Sequence, residues 1–505
     1  MGKGGLGPSA TTVQEKPLNR LVRDALGWSF LNNLVGRLGT LLAGIVLARL
    51  LTPHDYGVFA VALVALTAVL SMNELGVSLA LVRWPGDVAR IAPTVTTLAW
   101  TGSALCYAAC FAAAPRFADA LGSPEATGVV RLLCLGVLLD GITSVPVALL
   151  ARSFQQGRRT FGDLTNFAVS TTVAVVLAIN GFGAWSLAWS RLAGNLVSAV
   201  LFLLLADARH LPGFDRREAT NLLRFGLPLA GSSLLVFAML NVDYMIVGRT
   251  LGALPLGLYL LAFNLASWPV NMFSVVVRRV SLAAFARLQA DPPALRAAFV
   301  RSTGLLMAVT VPAAALLSAF ALPLIRVVYG ERWSAAAVAL RFLAIQGGVR
   351  VVVELAYDYL VAAGRTRTIL WLQAGWLLSL IPALLTGAAL GGIRGVAIGH
   401  AVVAVGIVAP AFALSVWRTG MDMRPVAATL VRPVAGAALV VATGLVAPHL
   451  LRSDALVVVA GGAVAVLLYG LVVAPVRAMR GAMTAAQGGA DSSRTARPAT
   501  SPTRR

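Results

Sequence analysis

The sequence predicts an all-α polytopic membrane protein with about fourteen transmembrane helices. We expect two pseudo-symmetric six-helix bundles around a central cavity, followed by two further helices. Three observations predict this fold class. Hydrophobic residues form 58% of the 505 residues and charged residues only 12%, which would leave a soluble domain with too little polar surface. The mean hydropathy is +0.83, and an internal repeat divides the apolar runs into two halves.

The repeat relates residues 39–62 to residues 239–262. When the two segments are aligned without gaps, Arg249 falls on Arg49 and Gly257 falls on Gly57. Both segments are typical of a helix, a tight turn and a second helix. A second match, GRRT at 157–160 and GRTR at 364–367, follows in the same order. The order of these landmarks indicates a parallel duplication of the kind found in transporters.

Apolar runs of about twenty residues predict the individual spans. The first bundle contains the runs 27–50, 57–80, 93–114, 129–150, 161–180 and 184–206. The second contains 225–248, 256–277, 302–328, 335–362, 368–390 and 393–416. The two extra spans are 429–450 and 455–476. The expected domains are therefore a cytoplasmic leader at 1–24, bundles at 25–208 and 225–418 joined by a link at 209–224, extra helices at 419–478, and a disordered basic tail at 479–505.

The distribution of charge predicts the topology. The net charge is +21, and most Lys and Arg residues lie between alternate spans or at the chain ends. The positive-inside rule then places both termini in the cytoplasm and the protein in the cytoplasmic membrane. Because the basic residues do not form one stripe, no nucleic-acid partner is expected. The link at 280–301 reads as an amphipathic helix that Pro292 and Pro293 interrupt.

The predicted outer loops are short and exclude several classes of function. Segments such as NGFGA at 180–184 and GGIRG at 391–395 leave room for turns and not for a catalytic domain. An enzyme is therefore not expected. The three cysteines, Cys106, Cys110 and Cys134, fall inside apolar runs and form no disulfide framework or metal motif. No cofactor is expected apart from a coupling Na⁺ or H⁺.

Polar residues inside the spans are the candidate functional residues, because each is costly in a bilayer unless it faces water, protein or a partner. Arg37 lies near the middle of the first span, with Asn33 one turn earlier. The alternative role of Arg37 is to form hydrogen bonds with neighbouring helices. Asp243 follows Asn241 in the seventh span, where the acid is expected to pair with Arg37, to bind a coupling cation or to form a structural contact.

Other polar residues have weaker claims to function. Arg350 and Glu354 in the tenth span are predicted to neutralise each other as an i,i+4 pair, with Asp358 on the same face. Glu74 and His400 are candidate ion-coupling groups, although a lone histidine in a span is usually satisfied by a neighbour.

Four segments carry a resemblance to a known family: RLLTPHDYGVFAVAL, ELGVSLALVR, RFGLPLAGSSLL and NVDYMIVGRTLGALPLGLYLLAFNL. Together the chain resembles the Wzx-type oligosaccharide flippases of polysaccharide biosynthesis. These belong to the multidrug/oligosaccharidyl-lipid/polysaccharide superfamily, which also contains the lipid II flippase and the MATE transporters. The resemblance covers about 21–476.

The resemblance implies a function and a set of roles. It implies alternating-access translocation of an undecaprenyl-pyrophosphate-linked oligosaccharide for cell-surface polysaccharide synthesis. The expected partners are this glycan, membrane lipids and, as candidates, the polymerase and glycosyltransferases of the same pathway. Arg37 would contact the pyrophosphate, and Arg278 or Arg279 would gate the inner mouth. The expected sugar or ion contacts are Asn33, Asn241, Asp243, Asn264 and Asn271.

An ion-coupled, MATE-like exporter of small molecules is the alternative function. An acid-dominated cavity, with Asp243 and Glu74 at its centre and Arg37 turned away, would favour it.

Overall fold

A computed structural model of the chain describes residues 39–73, 81, 88–153, 155–205, 212–289 and 291–473. Some helical positions, 269–284 among them, are described by their backbone alone. Within these ranges the structure is helical and contains no strands. Ten helices are long and apolar enough to cross a membrane. The predicted all-α, multi-pass fold class is therefore confirmed, whereas the count of fourteen spans stays a prediction.

By internal packing the chain divides into an N-terminal unit, residues 1–241, and a C-terminal unit, residues 242–505. The expected domain limits stay predictions. The helices of the N-terminal unit are α1 (Gly39–Leu50), α2 (Pro53–Asn73), α3 (Val88–Ala120), α4 (Ala126–Cys134), α5 (Gly136–Arg152), α6 (Gln156–Ile179), α7 (Ala184–Leu205) and the first part of α8 (Arg216–Leu251).

The C-terminal unit begins within α8. It continues with α9 (Ala253–Arg287), α10 (Pro292–Ala319), α11 (Ala321–Val328), α12 (Ala336–Ala362), α13 (Thr366–Val403), α14 (Ala409–Trp417), α15 (Met423–Leu450) and α16 (Gly462–Val473). Single π-helical turns at Ala404–Val408 and Val457–Gly461 precede α14 and α16. The N-terminal end of α12 follows a short 3₁₀ turn at Glu331–Trp333.

Two tight turns end helices where the sequence predicts them. Gly181 and Gly183 adopt positive φ between α6 and α7. In α13, Gly392 has a φ of 55°, which interrupts the helix and separates the expected spans 368–390 and 393–416. A positive φ strains residues that carry a Cβ, so glycine is the residue that permits both turns.

At the link 280–301 the structure differs from the prediction in one detail. Helix α9 ends at Arg287, and Pro292 and Pro293 start α10 where they were expected to break a helix. The Asp291 side chain caps α10 by accepting a hydrogen bond of 3.0 Å from the backbone N–H of Ala294. Proline fits this position because the first N–H groups of a helix have no partner within it.

Candidate functional site

The described candidate residues converge on a buried polar cluster in the C-terminal unit. Asp243 on α8 is 2% exposed and His400 on α13 is 6% exposed. The side chains of six predicted site residues are not among those that the structure describes. Arg37, Asn33 and Glu74 fall outside the described residues, and the side chains of Asn271, Arg278 and Arg279 on α9 lie outside the described part of that helix. The expected pairing of Arg37 with Asp243 therefore stays a prediction.

Two donors hold the Asp243 carboxylate. The Tyr259 hydroxyl donates to Oδ2 over 3.1 Å, and the backbone N–H of Tyr244 donates to Oδ1 over 2.9 Å. Tyr259 comes from α9, so the first of these bonds joins two neighbouring helices. Hydrogen bonds to a carboxylate offset part of the cost of burying it, because an unpaired buried charge is strongly unfavourable.

Aromatic rings enclose this carboxylate. The rings of Tyr244 and Tyr259 meet edge to face at 6.0 Å, and Tyr244 meets Phe263 at 5.5 Å. Phe263 in turn lies 6.5 Å from the imidazole of His400, measured between ring centroids. The His400 Nδ1 atom is buried and has no hydrogen-bond partner among the described residues. The cluster is thus a titratable acid and a titratable base separated by aromatic rings.

A cation on α12 acts on both groups. The positive charge of Arg350 acts electrostatically on the Asp243 carboxylate and on the His400 imidazole. Arg350 also forms the predicted i,i+4 pair, with Nε 3.1 Å from Oε1 of Glu354. That pairing is confirmed. Electrostatic interactions are strong in the low-dielectric interior of the unit. A change of charge at Asp243 or Glu354 will therefore change the electrostatic energy of the Arg350 guanidinium.

Asn241 and Asn264, the two candidate asparagines whose side chains the structure describes, differ in their surroundings. Asn241 donates through Nδ2 to the carbonyl oxygen of Phe237 on its own helix, over 3.0 Å. Asn264 on α9 is exposed. The structure leaves both roles as ligand contacts untested.

Sequence reasoning missed two members of the cluster. Tyr259 lies within the repeated segment 239–262 but was not singled out as a site residue, and neither was Phe263. Tyr259 and Phe263 are one helical turn apart on α9, a spacing that places side chains on the same face. That spacing, opposite an acidic residue on the preceding helix, is the signal that could have found them. No group of three or more His, Cys, Asp or Glu residues in the described ranges could hold a metal ion.

Comparisons with known proteins agree on the class. The family described as polysaccharide biosynthesis protein matches residues 46–338, more than half of the chain. The succinoglycan biosynthesis transport protein ExoT of Rhizobium meliloti (strain 1021) is 28% identical over 71% of this chain and 72% of its own length. The lipopolysaccharide biosynthesis protein WzxC of Escherichia coli (strain K12) is 25% identical over 71% of this chain and 74% of its own.

Solved structures show the same fold. The lipid II flippase MurJ in an inward closed conformation superposes with a TM-score of 0.73, covering 88% of this chain and 97% of MurJ at 12% identity. An inward-facing multidrug resistance MATE family transporter superposes with a TM-score of 0.61. The match covers 76% of this chain and 94% of the transporter at 17% identity. At these identities the likeness concerns the fold alone.

Proposed function

Because the chain belongs to the polysaccharide biosynthesis protein family, we propose that it is a flippase for a polyprenyl-pyrophosphate-linked oligosaccharide. It would move this lipid across the cytoplasmic membrane by alternating access, with both termini in the cytoplasm. The match of residues 46–338 to this family is the observation that carries the proposal, and the fold, which is similar to that of a lipid II flippase over 88% of the chain, is consistent with it. The relatives named for succinoglycan transport and lipopolysaccharide biosynthesis support the glycan class.

Physical chemistry sets the requirements for such a carrier. A pyrophosphate and several sugars cannot cross hydrocarbon unaided, because burying unpaired polar and charged groups is strongly unfavourable. A fixed cation in a water-filled path would stabilise the pyrophosphate through charge-assisted hydrogen bonds. We assign this role to Arg37, with Asn33 beside it. The proposed sugar contacts are Asn241, Asn264 and Asn271, and Arg278 and Arg279 are the proposed inner gate.

The first test is the fate of the lipid-linked glycan in cells depleted of the protein. We expect the complete unit to accumulate on the inner face of the membrane, where mass spectrometry would identify it. The polymerase and glycosyltransferases of the pathway stay intact in this experiment, so their products report on the flipping step. Normal surface glycan after depletion, together with new sensitivity to cationic toxins, would instead favour the MATE-like exporter.

Arg37 provides the sharpest residue test. Arg37→Ala should abolish transport in reconstituted vesicles while the protein remains folded in the membrane, because the desolvated pyrophosphate loses a charge-assisted partner. Arg37→Lys keeps the charge but not the planar fork of donors, so we expect partial activity. If Arg37→Ala transports as well as the wild type, the arginine is only a structural residue.

We further propose that the cluster around Asp243 couples transport to a Na⁺ or H⁺ gradient, with Glu74 and His400 as additional candidates. An ionisable residue buried within a membrane span is a candidate coupling group, because such residues are costly and mark ion and proton pathways. Asp243→Asn keeps the shape and removes the charge. We expect gradient-driven transport to fall about tenfold or more, the equivalent of one lost charge-assisted interaction.

The readout is the dependence of transport on an imposed proton or sodium gradient. Asp243→Asn should lose this dependence, whereas a matched variant on the same helix, Thr250→Ala, should keep it. The Thr250 hydroxyl donates only to its own helix, to the carbonyl oxygen of Ile246. An Asp243→Asn protein that still responds to the gradient would exclude Asp243 as the coupling group.

A further inference from the structure

A second polar site lies at one end of the N-terminal unit, apart from the cluster around Asp243. The first turns of α2, the loop between α3 and α4, and the loop between α6 and α7 with the start of α7 meet there around a cavity of about 210 Å³. Its lining includes His54, Asp55, Glu125, Phe182 and Trp185. The cavity is smaller than the pockets of roughly 300–1,000 Å³ that enclose drug-sized ligands, so it suits one small ring.

In each carboxylate of this cavity, the described hydrogen bonds and ion pair involve one of the two oxygens. The Thr52 N–H and the Thr52 hydroxyl both donate to Oδ2 of Asp55, over 2.9 Å and 2.7 Å. Oε1 of Glu125 meets Nε2 of His54 at 2.9 Å and accepts from the Ser123 hydroxyl at 3.4 Å. Oδ1 of Asp55 and Oε2 of Glu125 are thus acceptors for hydroxyl or amine donors.

Two aromatic side chains stand beside these acceptors. Phe182 is 49% exposed and Trp185 is 40% exposed. The Trp185 indole lies on the backbone of α4, where a Cβ at Gly128 would come within 2.8 Å of the ring. Gly183, with a φ of 52°, lets the loop approach Asp55 so closely that a Cβ there would lie 2.6 Å from Oδ1. Both contacts position the ring and the carboxylate around one cavity.

We propose that this cavity binds one neutral or amino sugar ring of the translocated glycan. A pyranose has an apolar C–H face, which packs on an aromatic ring, and hydroxyl groups at its edge, which donate to carboxylates. Two carboxylates against one histidine disfavour anionic groups, so the site rejects uronic acids and the pyrophosphate of the lipid carrier. That the sugar belongs to a translocated glycan rests on the proposed flippase function.

An aromatic belt is the competing explanation, since tryptophans commonly anchor spans at the membrane surface. The neighbouring Trp189 on α7 separates the two explanations. It is 45% exposed, similar to Trp185, but it does not line the cavity. A membrane anchor would make the two tryptophans equivalent, whereas a sugar site would depend on Trp185 alone.

The experiment uses the full-length protein in lipid nanodiscs and measures saturation transfer to free sugars by NMR. The probes are glucose, N-acetylglucosamine, glucosamine and glucuronic acid. We expect saturable binding of the first three and at least tenfold weaker binding of glucuronic acid. Trp185→Leu and Glu125→Gln should each weaken binding about tenfold, as expected for loss of a packed ring or a charge-assisted hydrogen bond. Trp189→Leu should bind as the wild type does.

Glu125 is exposed, so Glu125→Gln keeps the test valid even if a tryptophan variant fails to fold. Absence of saturable binding to the wild type, or equal losses in Trp185→Leu and Trp189→Leu, would overturn the proposed sugar site. Sugar binding is measured without transport, so the two proposals fail separately. A protein that binds sugar at this cavity but does not move a lipid-linked glycan would refute the flippase function alone.

Discussion

The two halves of the chain share a repeated segment but differ at the positions that form the C-terminal cluster. In the alignment that places Arg249 on Arg49, Asp243 falls on Ala43 and Tyr259 falls on Phe59. The same scaffold therefore carries a carboxylate and its hydroxyl donor in one half, and two apolar side chains in the other. The two halves therefore share the pattern of helices, but at these positions only the C-terminal half carries the carboxylate and its hydroxyl donor.

The buried polar side chains of the two units also differ in whether they can carry a charge. The buried polar side chains described in the N-terminal unit are all serines and threonines, such as Thr96 and Ser190. Both of these hydroxyls donate to carbonyl oxygens of their own helices. The C-terminal unit buries Asp243, Asp358 and His400. A hydroxyl can be satisfied within one helix, whereas a carboxylate needs donors. Among the buried side chains that the structure describes, carboxylates and an imidazole occur only in the C-terminal unit.

The hairpins that follow the GRRT and GRTR segments also differ. In the N-terminal unit, Nδ2 of Asn166 on α6 donates to Oδ1 of Asn195 and to the Ser198 hydroxyl on α7, over 3.2 Å and 3.1 Å. In the C-terminal unit, the two arms of α13 touch through bare backbone at Gly387 and Gly395. The N-terminal hairpin combines side-chain hydrogen bonds with a close approach of Gly194 to the backbone of Asn166, whereas the C-terminal hairpin has the tighter contact, between the backbones of two glycines.

The largest expected effect comes from adding one methyl group to the glycine contact. A Cβ on Gly395 would overlap the carbonyl group of Gly387, which is backbone and cannot rotate away. We expect Gly395→Ala to destabilise the C-terminal unit by about 3 kcal/mol, the upper part of the usual range for overpacking. The measurement is the melting temperature of the purified protein in detergent.

Gly375→Ala is the matched control, because Gly375 lies on the same helix and has open space around its Cα. Alanine favours the helix over glycine by about 0.5–1 kcal/mol, so this variant should melt at or slightly above the wild-type temperature. Equal destabilisation by the two substitutions would show that the arms of α13 do not rely on contact between glycines.

The next prediction converts one position of the C-terminal half to its N-terminal counterpart. Tyr259→Phe removes the hydroxyl that donates to Asp243 and leaves the ring contacts. Phe59 shows that the scaffold accepts phenylalanine here. A hydrogen bond to a charged group contributes about 1.5–3 kcal/mol, so gradient-driven transport should fall about tenfold with little loss of folded protein.

A double substitution tests whether Tyr259 acts through Asp243. If it does, Tyr259→Phe combined with Asp243→Asn should be no worse than Asp243→Asn alone. Tyr244→Phe is the control, because the described hydrogen bond from Tyr244 to the carboxylate uses the backbone N–H. Additive losses in the double variant would place the Tyr259 hydroxyl in a separate role.

Hydropathy and turn residues predicted the fold well because both signals are local. The turns at Gly181 and Gly392 lie where the sequence predicts them, since positive φ requires a residue without a Cβ. The sequence predicts a helix in the link at 280–301, and α9 does continue to Arg287. The start of α8 at Arg216, ahead of the apolar run at 225–248, was not predicted, because hydropathy does not register the polar residues of its first turns.

The candidate sites were predicted less completely. Asp243 was found because an acid within an apolar run is conspicuous. Its donor Tyr259 was not, since the contact joins two helices and only the fold brings them together. The cavity at His54 and Glu125 was missed for the same reason: its residues come from three separate parts of the chain, each of which reads as an ordinary turn or helix start.

The smallest expected effect concerns the polar hairpin of the N-terminal unit. Asn166→Ala removes two side-chain hydrogen bonds between α6 and α7. Interhelical hydrogen bonds in membranes average about 0.6 kcal/mol, because the unfolded helices also find partners. We therefore expect a loss of about 1 kcal/mol in stability, clearly less than for Gly395→Ala, in the same melting experiment. A loss as large as that of Gly395→Ala would mean that the amide bonds and the glycine contact hold their hairpins equally strongly, and that the two halves differ only in charge.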